Sequence, residues 1–221
     1  MKVLSWNVLA DEWVKKSYYP TVKDLRLLDP GHRVPVQVKI LKEEDADIIL
    51  LQEVMPETYA AVCRIFRKTH HISSLCPRHW LKTRPSVSGH MTLVRRTLCK
   101  EVVETPISFG QRVQAGNLVL YNIHLDDTSY ALRRKQLNSI PLDEPYVIVG
   151  GDFNQMYKNP IPGFIQHNDC TTYFVEKYMD IDNIITKGIK KGRMCCKPIP
   201  ISVSEGLLRY GSDHIPVILD I

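Results

Sequence analysis

Tyr146-Val147-Ile148-Val149-Gly150-Gly151-Asp152-Phe153-Asn154 decides how this chain folds. The first four residues form a short apolar run suited to a strand buried on both faces. Two glycines follow where the backbone must turn tightly, which frees the Asp152 side chain to point into a cleft. Strand ends are where an α/β scaffold presents chemistry. An ordinary turn aspartate would look the same in isolation, so the other apolar runs carry the weight.

Several of them deliver polar residues in the same manner. Val3 to Val8 reads as a first buried strand and carries Ser5-Trp6-Asn7. Ala46-Asp47-Ile48-Ile49-Leu50-Leu51 delivers Gln52-Glu53, and a strand over residues 117–123 runs into Asn122-Ile123-His124-Leu125. Asp182 lies within the apolar string Ile181-Asp182-Asn183-Ile184-Ile185, and Gly211-Ser212-Asp213-His214 precedes a last strand over residues 215–219. Residues 90–96 form a further strand. Between the strands, Pro35 can start a helix with Val34, Val38 and Leu41 on one face. Pro56 opens another, with Tyr59, Val62, Cys63 and Phe66 facing the core, and a third covers residues 129–140. Residues 11–33 show no periodicity and read as loop with a short helix. Strands outnumber helices, and apart from the helix over residues 129–140 adjacent strands in the second half lack intervening helices. The pattern favours an α/β sandwich of mixed sheets over a purely parallel doubly wound fold.

With 221 residues, 44% of them hydrophobic and 24% charged, the chain is expected to be one soluble domain. Its 29 Lys+Arg exceed its 24 Asp+Glu by 5, a balance that permits a polyanionic partner without demanding one. No stretch approaches a membrane span, and the opening Met1 to Asn7 is too short an apolar run for a signal peptide. The six cysteines show no CxxC pairing and read as reduced thiols of an intracellular, cytoplasmic or nuclear protein.

Hydrolysis of a phosphodiester needs a metal to neutralise the phosphoryl oxygens and a group to orient or deprotonate the attacking water. Glu53, just past a buried strand, needs a cation or donor partner, or else serves as an N-terminal acid for the helix at Pro56. Asn154 lies two residues beyond Asp152 and could hold the water or a phosphate oxygen. Asp182 is hard to excuse as surface decoration. His214 is its natural partner, since a carboxylate on one ring nitrogen raises the basicity of the other. Asp213 could add a metal contact, and the Asp213-His214 pair could also be a capped turn. His124 is either a donor to the scissile phosphate or a satisfied core histidine. Asp126 and Asp127 read as the N-cap region of the following helix.

Taken together, these residues resemble the endonuclease/exonuclease/phosphatase superfamily of magnesium-dependent phosphodiesterases. The likeness runs from Trp6-Asn7 through Gln52-Glu53, Asn122-Ile123-His124-Leu125, Gly151-Asp152-Phe153-Asn154 and Ile181-Asp182 to Ser212-Asp213-His214. It implies a four-layer α/β sandwich, two central mixed β-sheets flanked by helices, in a single catalytic domain over residues 1–221. It also implies Mg2+, for which Mn2+ can substitute, held principally by Glu53 with help from Asn7 and Asp213. By the same likeness Asp152 would activate water, Asn154 would contact phosphate or water, His124 and His214 would bind phosphoryl oxygens, and Asp182 would orient His214. Within the superfamily, Asn7-Val8-Leu9-Ala10-Asp11 and residues 34–53 are similar to the deadenylase-like branch, which implies a 3′ exoribonuclease.

Two basic stretches are candidate contacts to a nucleic acid, RNA or DNA. Trp80 and Arg84 belong to one, where an aromatic ring could stack on a base. Lys190 and Lys191 belong to the other, which reads as a hairpin tip over residues 187–193. The competing functions are a DNA-repair phosphodiesterase of tyrosyl-DNA or abasic-site type, a phosphatase of a small phosphoester or phosphoinositide, and an inactive binding module. The intact set of Glu53, Asp152, Asn154, Asp182 and His214 argues against the last.

Overall fold

The computed structural model describes residues 1–77, 87–141, 143–155, 161–167, 170–175, 177–190 and 192–221. The first half of the chain forms β1 (Lys2–Asn7), α1 (Pro30–Glu44), β2 (Ile48–Val54), α2 (Pro56–Phe66), β3 (His70–Ile72), β4 (Cys76–Pro77) and β5 (Gly89–Arg95). The second half forms β6 (Val103–Ile107), β7 (Gly110–Ala115), β8 (Leu118–His124), α3 (Tyr130–Asn138), β9 (Tyr146–Asp152), β10 (Ile165–Gln166) and β11 (Asp182–Lys187). The chain then returns through β12 (Arg193–Cys195), α4 (Val203–Tyr210) and β13 (Val217–Asp220).

These strands make two sheets. One runs β12-β13-β1-β2-β5-β3, with β4 also on β5, and the other runs β10-β11-β9-β8-β7-β6. Each sheet contains one parallel pair, β1 with β2 and β8 with β9, and every other pairing is antiparallel. A parallel pair needs a crossover, and α1 and α3 supply the two. The sheets are therefore built around two βαβ units whose strands point the same way.

The strand period sorts side chains into layers. Val3, Ile48, Leu50, Leu120, Ile148 and Ile184 meet between the sheets. The alternate residues Leu4, Trp6, Ile49 and Leu51 pack with Leu41 of α1, Val62 and Phe66 of α2 and Tyr210 of α4. Tyr121, Ile123, Val147 and Val149 pack with Leu137 of α3. Four layers result, helices outside and sheets inside, as expected. The sheets approach closely at Gly150, where an added Cβ would lie 2.6 Å from the Leu50 side chain.

Three expectations are corrected. The first helix begins at Pro30, not Pro35, because the Asp29 carboxylate caps it by accepting the Gly31 N–H at 2.7 Å. Its buried face is Arg33, Gln37 and Leu41 instead of Val34, Val38 and Leu41. Residues 187–193 are not a hairpin tip: β11 lies in one sheet and β12 in the other, so the segment crosses between them. Finally, the six cysteines are not all thiols. Cys170 and Cys196 form a disulfide, their Cα atoms 5.8 Å apart across 26 positions of sequence, while Cys63, Cys76, Cys99 and Cys195 are free. Two separate loops bring the pair together, which no local spacing announces. The compartment argued from reduced thiols loses that support. No helix among the described residues is long and apolar enough to cross a membrane.

Candidate active site

The parity of the strands aims the site. In β1, Val3 points between the sheets, so Asn7 does too. The same count places His124 with Leu120 in β8, Asp152 with Ile148 in β9, and Asp182 with Ile184 in β11. His124, Asp152 and Asp182 are also direct cross-strand partners in succession. Glu53 has the opposite parity to Leu50 and would face the helices. The register of β2 against β5 shifts between Leu51 and Val54, and Glu53 itself adopts a left-handed φ of 58°. A bulge of this kind re-aims a side chain, and here it turns the Glu53 carboxylate to the ends of both sheets. Leu9 (φ 59°) and Asn154 (φ 51°) share this uncommon conformation, so strain gathers around the site.

The side chains meet at the C-terminal ends of the two parallel pairs. The Asn7 amide donates to Glu53 Oε1 at 3.2 Å and to Asp152 Oδ2 at 3.1 Å, tying the two sheets' carboxylates together. Its oxygen accepts the Leu9 N–H at 3.0 Å, and Glu53 Oε2 accepts the Ala10 N–H at 2.8 Å. His124 places Nε2 3.4 Å from Asp152 Oδ2 and Nδ1 3.8 Å from Glu53 Oε1. His214 bonds through Nδ1 to Asp182 Oδ2 at 2.8 Å, leaving Nε2 3.8 Å from Asp152 Oδ2 and 3.9 Å from Asp213 Oδ1. Asp152 Oδ1 accepts the Asn154 N–H at 2.8 Å, and the Asn154 amide donates to the Leu125 carbonyl. Asn7, Glu53, His124, Asp152, Asn154 and His214 open onto a cleft of about 410 Å³, which Trp13, Asp127 and Tyr173 also line.

Residues outside the cleft fix this arrangement. Gln37 of α1 donates to the carbonyls of Val8 and Gly211, both at 2.7 Å, joining the exit of β1 to the turn before His214. The buried Arg33 donates to the carbonyls of Leu9 at 2.7 Å and Leu28 at 3.2 Å and pairs with Asp11. Ser212 donates its hydroxyl to the Asn7 carbonyl at 2.7 Å, and the Trp6 indole donates to the His214 carbonyl at 3.0 Å. Tyr19 donates to Asp213 Oδ2 at 2.9 Å. Arg33, Gln37 and Tyr19 were not legible as site residues, although a polar i, i+4 pair beside a helix's apolar positions is a signal of a buried polar face.

Burial raises the Asp152 pKa, and the Asp182 charge raises it further. The charge of His214 and the hydrogen bonds from Asn7 and Asn154 oppose the rise and leave it at about 7. Burial lowers the pKa of His214, but the Asp182 carboxylate, with Asp213 and Asp152 beyond it, more than reverses this and holds it well above its ordinary value. At neutral pH the pair is thus an imidazolium beside a carboxylate poised to take a proton. Burial, then the neighbouring Asp213, pushes the Tyr19 hydroxyl far up, so it remains a donor.

Asn7, Glu53, His124, Asp152, Asn154, Asp182 and His214 are therefore brought together, with Asp213 alongside. Lys190 is not. Asp182 sits at the site end of β11 and Lys187 at the other, paired with Val147 near the start of β9, so Lys190 lies beyond the far edge. Trp80, Arg84 and Lys191 fall outside the described residues. One group of ligand atoms among the described residues lies within 4.8 Å of one another, those of Asp152, Asp182 and His214, and such a group could hold a metal ion.

The sequence profile of the Endonuclease/Exonuclease/phosphatase family matches residues 4–214. This chain belongs to that family. Its members hydrolyse phosphoesters, and the clustered carboxylates and imidazoles lie within the matched span. A sequence search of curated proteins finds no match. Among solved structures, ANGEL2, a 2′,3′-cyclic phosphatase, is similar over 99% of this chain and 93% of its own, at 14% identity and a TM-score of 0.73. TDP2 from C. elegans is similar over 99% of this chain and 74% of its own, at 18% identity and a TM-score of 0.67. An endonuclease/exonuclease/phosphatase from Bacteroides vulgatus is similar over 100% and 98%, at 16% identity and a TM-score of 0.65. At these identities the likeness shows the shared fold.

Proposed function

We propose that this chain is a magnesium-dependent phosphodiesterase that cleaves nucleic acid, with one catalytic domain spanning residues 1–221. The convergence of Asn7, Glu53, His124, Asp152 and the Asp182–His214 pair at the joined ends of two sheets carries this reading. Membership of the phosphoester-hydrolysing family and the similarity to ANGEL2 and TDP2 support it.

The donor set fits a hard divalent cation. Glu53 and Asp213 supply carboxylate oxygens, and Asp213 Oδ1 is buried with no hydrogen-bond partner among the described residues. Glu53, with Asn7 and Asp213, would hold the ion. Asn7 would join the ion by turning its oxygen, which here accepts the Leu9 N–H, towards the carboxylates, a flip that gives up the two hydrogen bonds its amide makes to Glu53 and Asp152. An ion at Asp152, Asp182 and His214 would have to replace the proton that joins the last two, so the Glu53 side is the better seat. When bound, Mg2+ neutralises charge building on the phosphoryl oxygens.

The chain's own groups supply the rest. Asp152, poised near neutrality, accepts a proton from the attacking water, which Asn154 helps to place. The His214 imidazolium, held by Asp182, directs Nε2–H at a phosphoryl oxygen, and His124 offers a second donor from the facing sheet. The connection after β1 carries Trp13 to the cleft wall.

The test is hydrolysis of single-stranded RNA and DNA, poly(A), a 2′,3′-cyclic phosphate, tyrosyl-linked DNA and a phosphoinositide, each with Mg2+ and with chelator. Metal-dependent cleavage of a nucleic acid, reduced at least 100-fold in Asp152→Asn, is expected. Equal turnover in chelator, or near-full turnover by the folded Asp152→Asn protein, overturns the assignment.

A further inference from the structure

A second cavity of about 530 Å³ opens beside the cleft, lined by Trp13, Tyr18, Tyr19, Tyr173, Val203 and Asp213 among others. Trp13 and Tyr173 line both cavities, so the second continues from the first. The Tyr173 ring lies 5.1 Å from the His214 ring, centroid to centroid. The new cavity therefore begins one side chain away from the imidazole assigned to the phosphoryl group. Its volume suits a nucleoside-sized ligand.

Its chemistry is that of a stacking site. Among the described residues four aromatic side chains line it, and three of them come from the short segment between β1 and α1. Tyr18 is 50% exposed, with the Lys15 ammonium 5.5 Å from its ring centroid. Lys15, Lys16 and Lys23 are exposed and have no carboxylate partner among the described residues. By contrast, the nearby Asp11 and Asp24 are neutralised by Arg33 and Arg26. Aromatic faces beside the Lys15 ammonium suit a base and the phosphate that flanks it. The Trp13 indole Nε1 is buried and has no acceptor among the described residues.

We propose that this cavity is a subsite for one unstacked nucleobase next to the scissile phosphate, so that the substrate is a single-stranded segment of nucleic acid. The inference rests on the nucleic-acid reading above and adds a substrate class to it. A base within a duplex is covered on both faces and paired at its edge, so it cannot enter without leaving the helix. Tyr18 and Trp13 are the residues that would select for strand state.

Direct binding separates this inference from the catalytic one. The Asp152→Asn protein is titrated in Mg2+ with a labelled single-stranded RNA, the same sequence as DNA, and each annealed to its complement. Tighter binding of the single strands is expected. Adding Tyr18→Ala should weaken single-strand binding by about 5- to 100-fold, the usual loss for one stacked base, and Tyr18→Phe should restore it. Tyr146→Ala, a comparably exposed tyrosine at the far end of β9, sets the baseline. Unchanged affinity in the folded Tyr18→Ala protein, or equal affinity for duplex, overturns the subsite. Displacement of the strand by tyrosinamide and not by nucleosides assigns the cavity to an aromatic amino-acid side chain, and overturns it too. Hydrolysis of bis(p-nitrophenyl) phosphate by the wild type, a substrate with no base to bind, reports the phosphodiesterase reading separately. Failure there removes the catalytic assignment and leaves the binding result to judge the subsite alone.

Discussion

Asp152 illustrates how one side chain couples ionisation to both stability and chemistry. Its pKa in the folded, metal-free protein, about 7, lies above the ordinary carboxylate value of 3.8. Below about pH 4 the carboxyl is protonated in folded and unfolded states alike, and no penalty arises. As pH rises towards 7 the unfolded chain ionises freely while the folded site resists, so stability is lost over that window. The difference in unfolding free energy between Asp152→Asn and wild type, measured by chemical denaturation without metal, should therefore grow from pH 4 to pH 7. Near neutrality it should reach about 3–4 kcal/mol in favour of the variant, the attraction to His214 being already counted in the Asp152 value. A constant difference across that range would show that Asp152 is not desolvated as described. His214 has the matching signature. With Asp182→Asn its imidazole pKa, followed by NMR, should fall, because burial then acts with less opposition.

At the scale of elements, α1 acts as a clasp. Arg33 and Gln37 lie on its buried face with Leu41, and both donate to backbone carbonyls that shape the site. Gln37→Leu removes two of these bonds and leaves the Val8 and Gly211 carbonyls buried without them. A loss of about 1–3 kcal/mol is expected in chemical denaturation, together with reduced turnover, since Asn7 and His214 lie on the two segments joined. Unaltered kcat in the folded variant would make α1 a support for stability alone. This face was hidden from pattern reading because an apolar stripe through Val34 and Val38 is the default for an amphipathic helix. Two polar residues displace that stripe by satisfying carbonyls that only the folded chain assembles. The bulge at Glu53 was equally hidden. Alternation predicts its side chain on the helix face, and only pairing against β5 reveals the shift.

Over the whole molecule, two βαβ units stand face to face, and the ends of their parallel strands meet where the carboxylates gather. The disulfide between Cys170 and Cys196 belongs to this scale, since it joins the loop before β11 to the segment before α4. Thiol titration of the denatured, unreduced protein should therefore count four reactive cysteines: Cys63, Cys76, Cys99 and Cys195. Six would show that the bridge does not form. Lys190 makes the same point about distance. The sequence places it eight positions from Asp182, yet β11 carries it away from the site, so nearness along the chain was a poor guide to nearness in space.

What the amino-acid order settled unaided was local. Apolar runs with polar ends fixed the strands, and alternation fixed which neighbours share a face with Asn7, His124, Asp152 and Asp182, because a β-strand alternates its faces whatever surrounds it. The bulge beneath Glu53, the clasp by Gln37, the Cys170–Cys196 bridge and the aromatic cavity joined to the cleft needed the packed chain. Each depends on groups far apart in sequence whose hydrogen bonds or contacts exist only in the folded chain, whereas the Asp29 cap was a local signal outweighed by a proline further on.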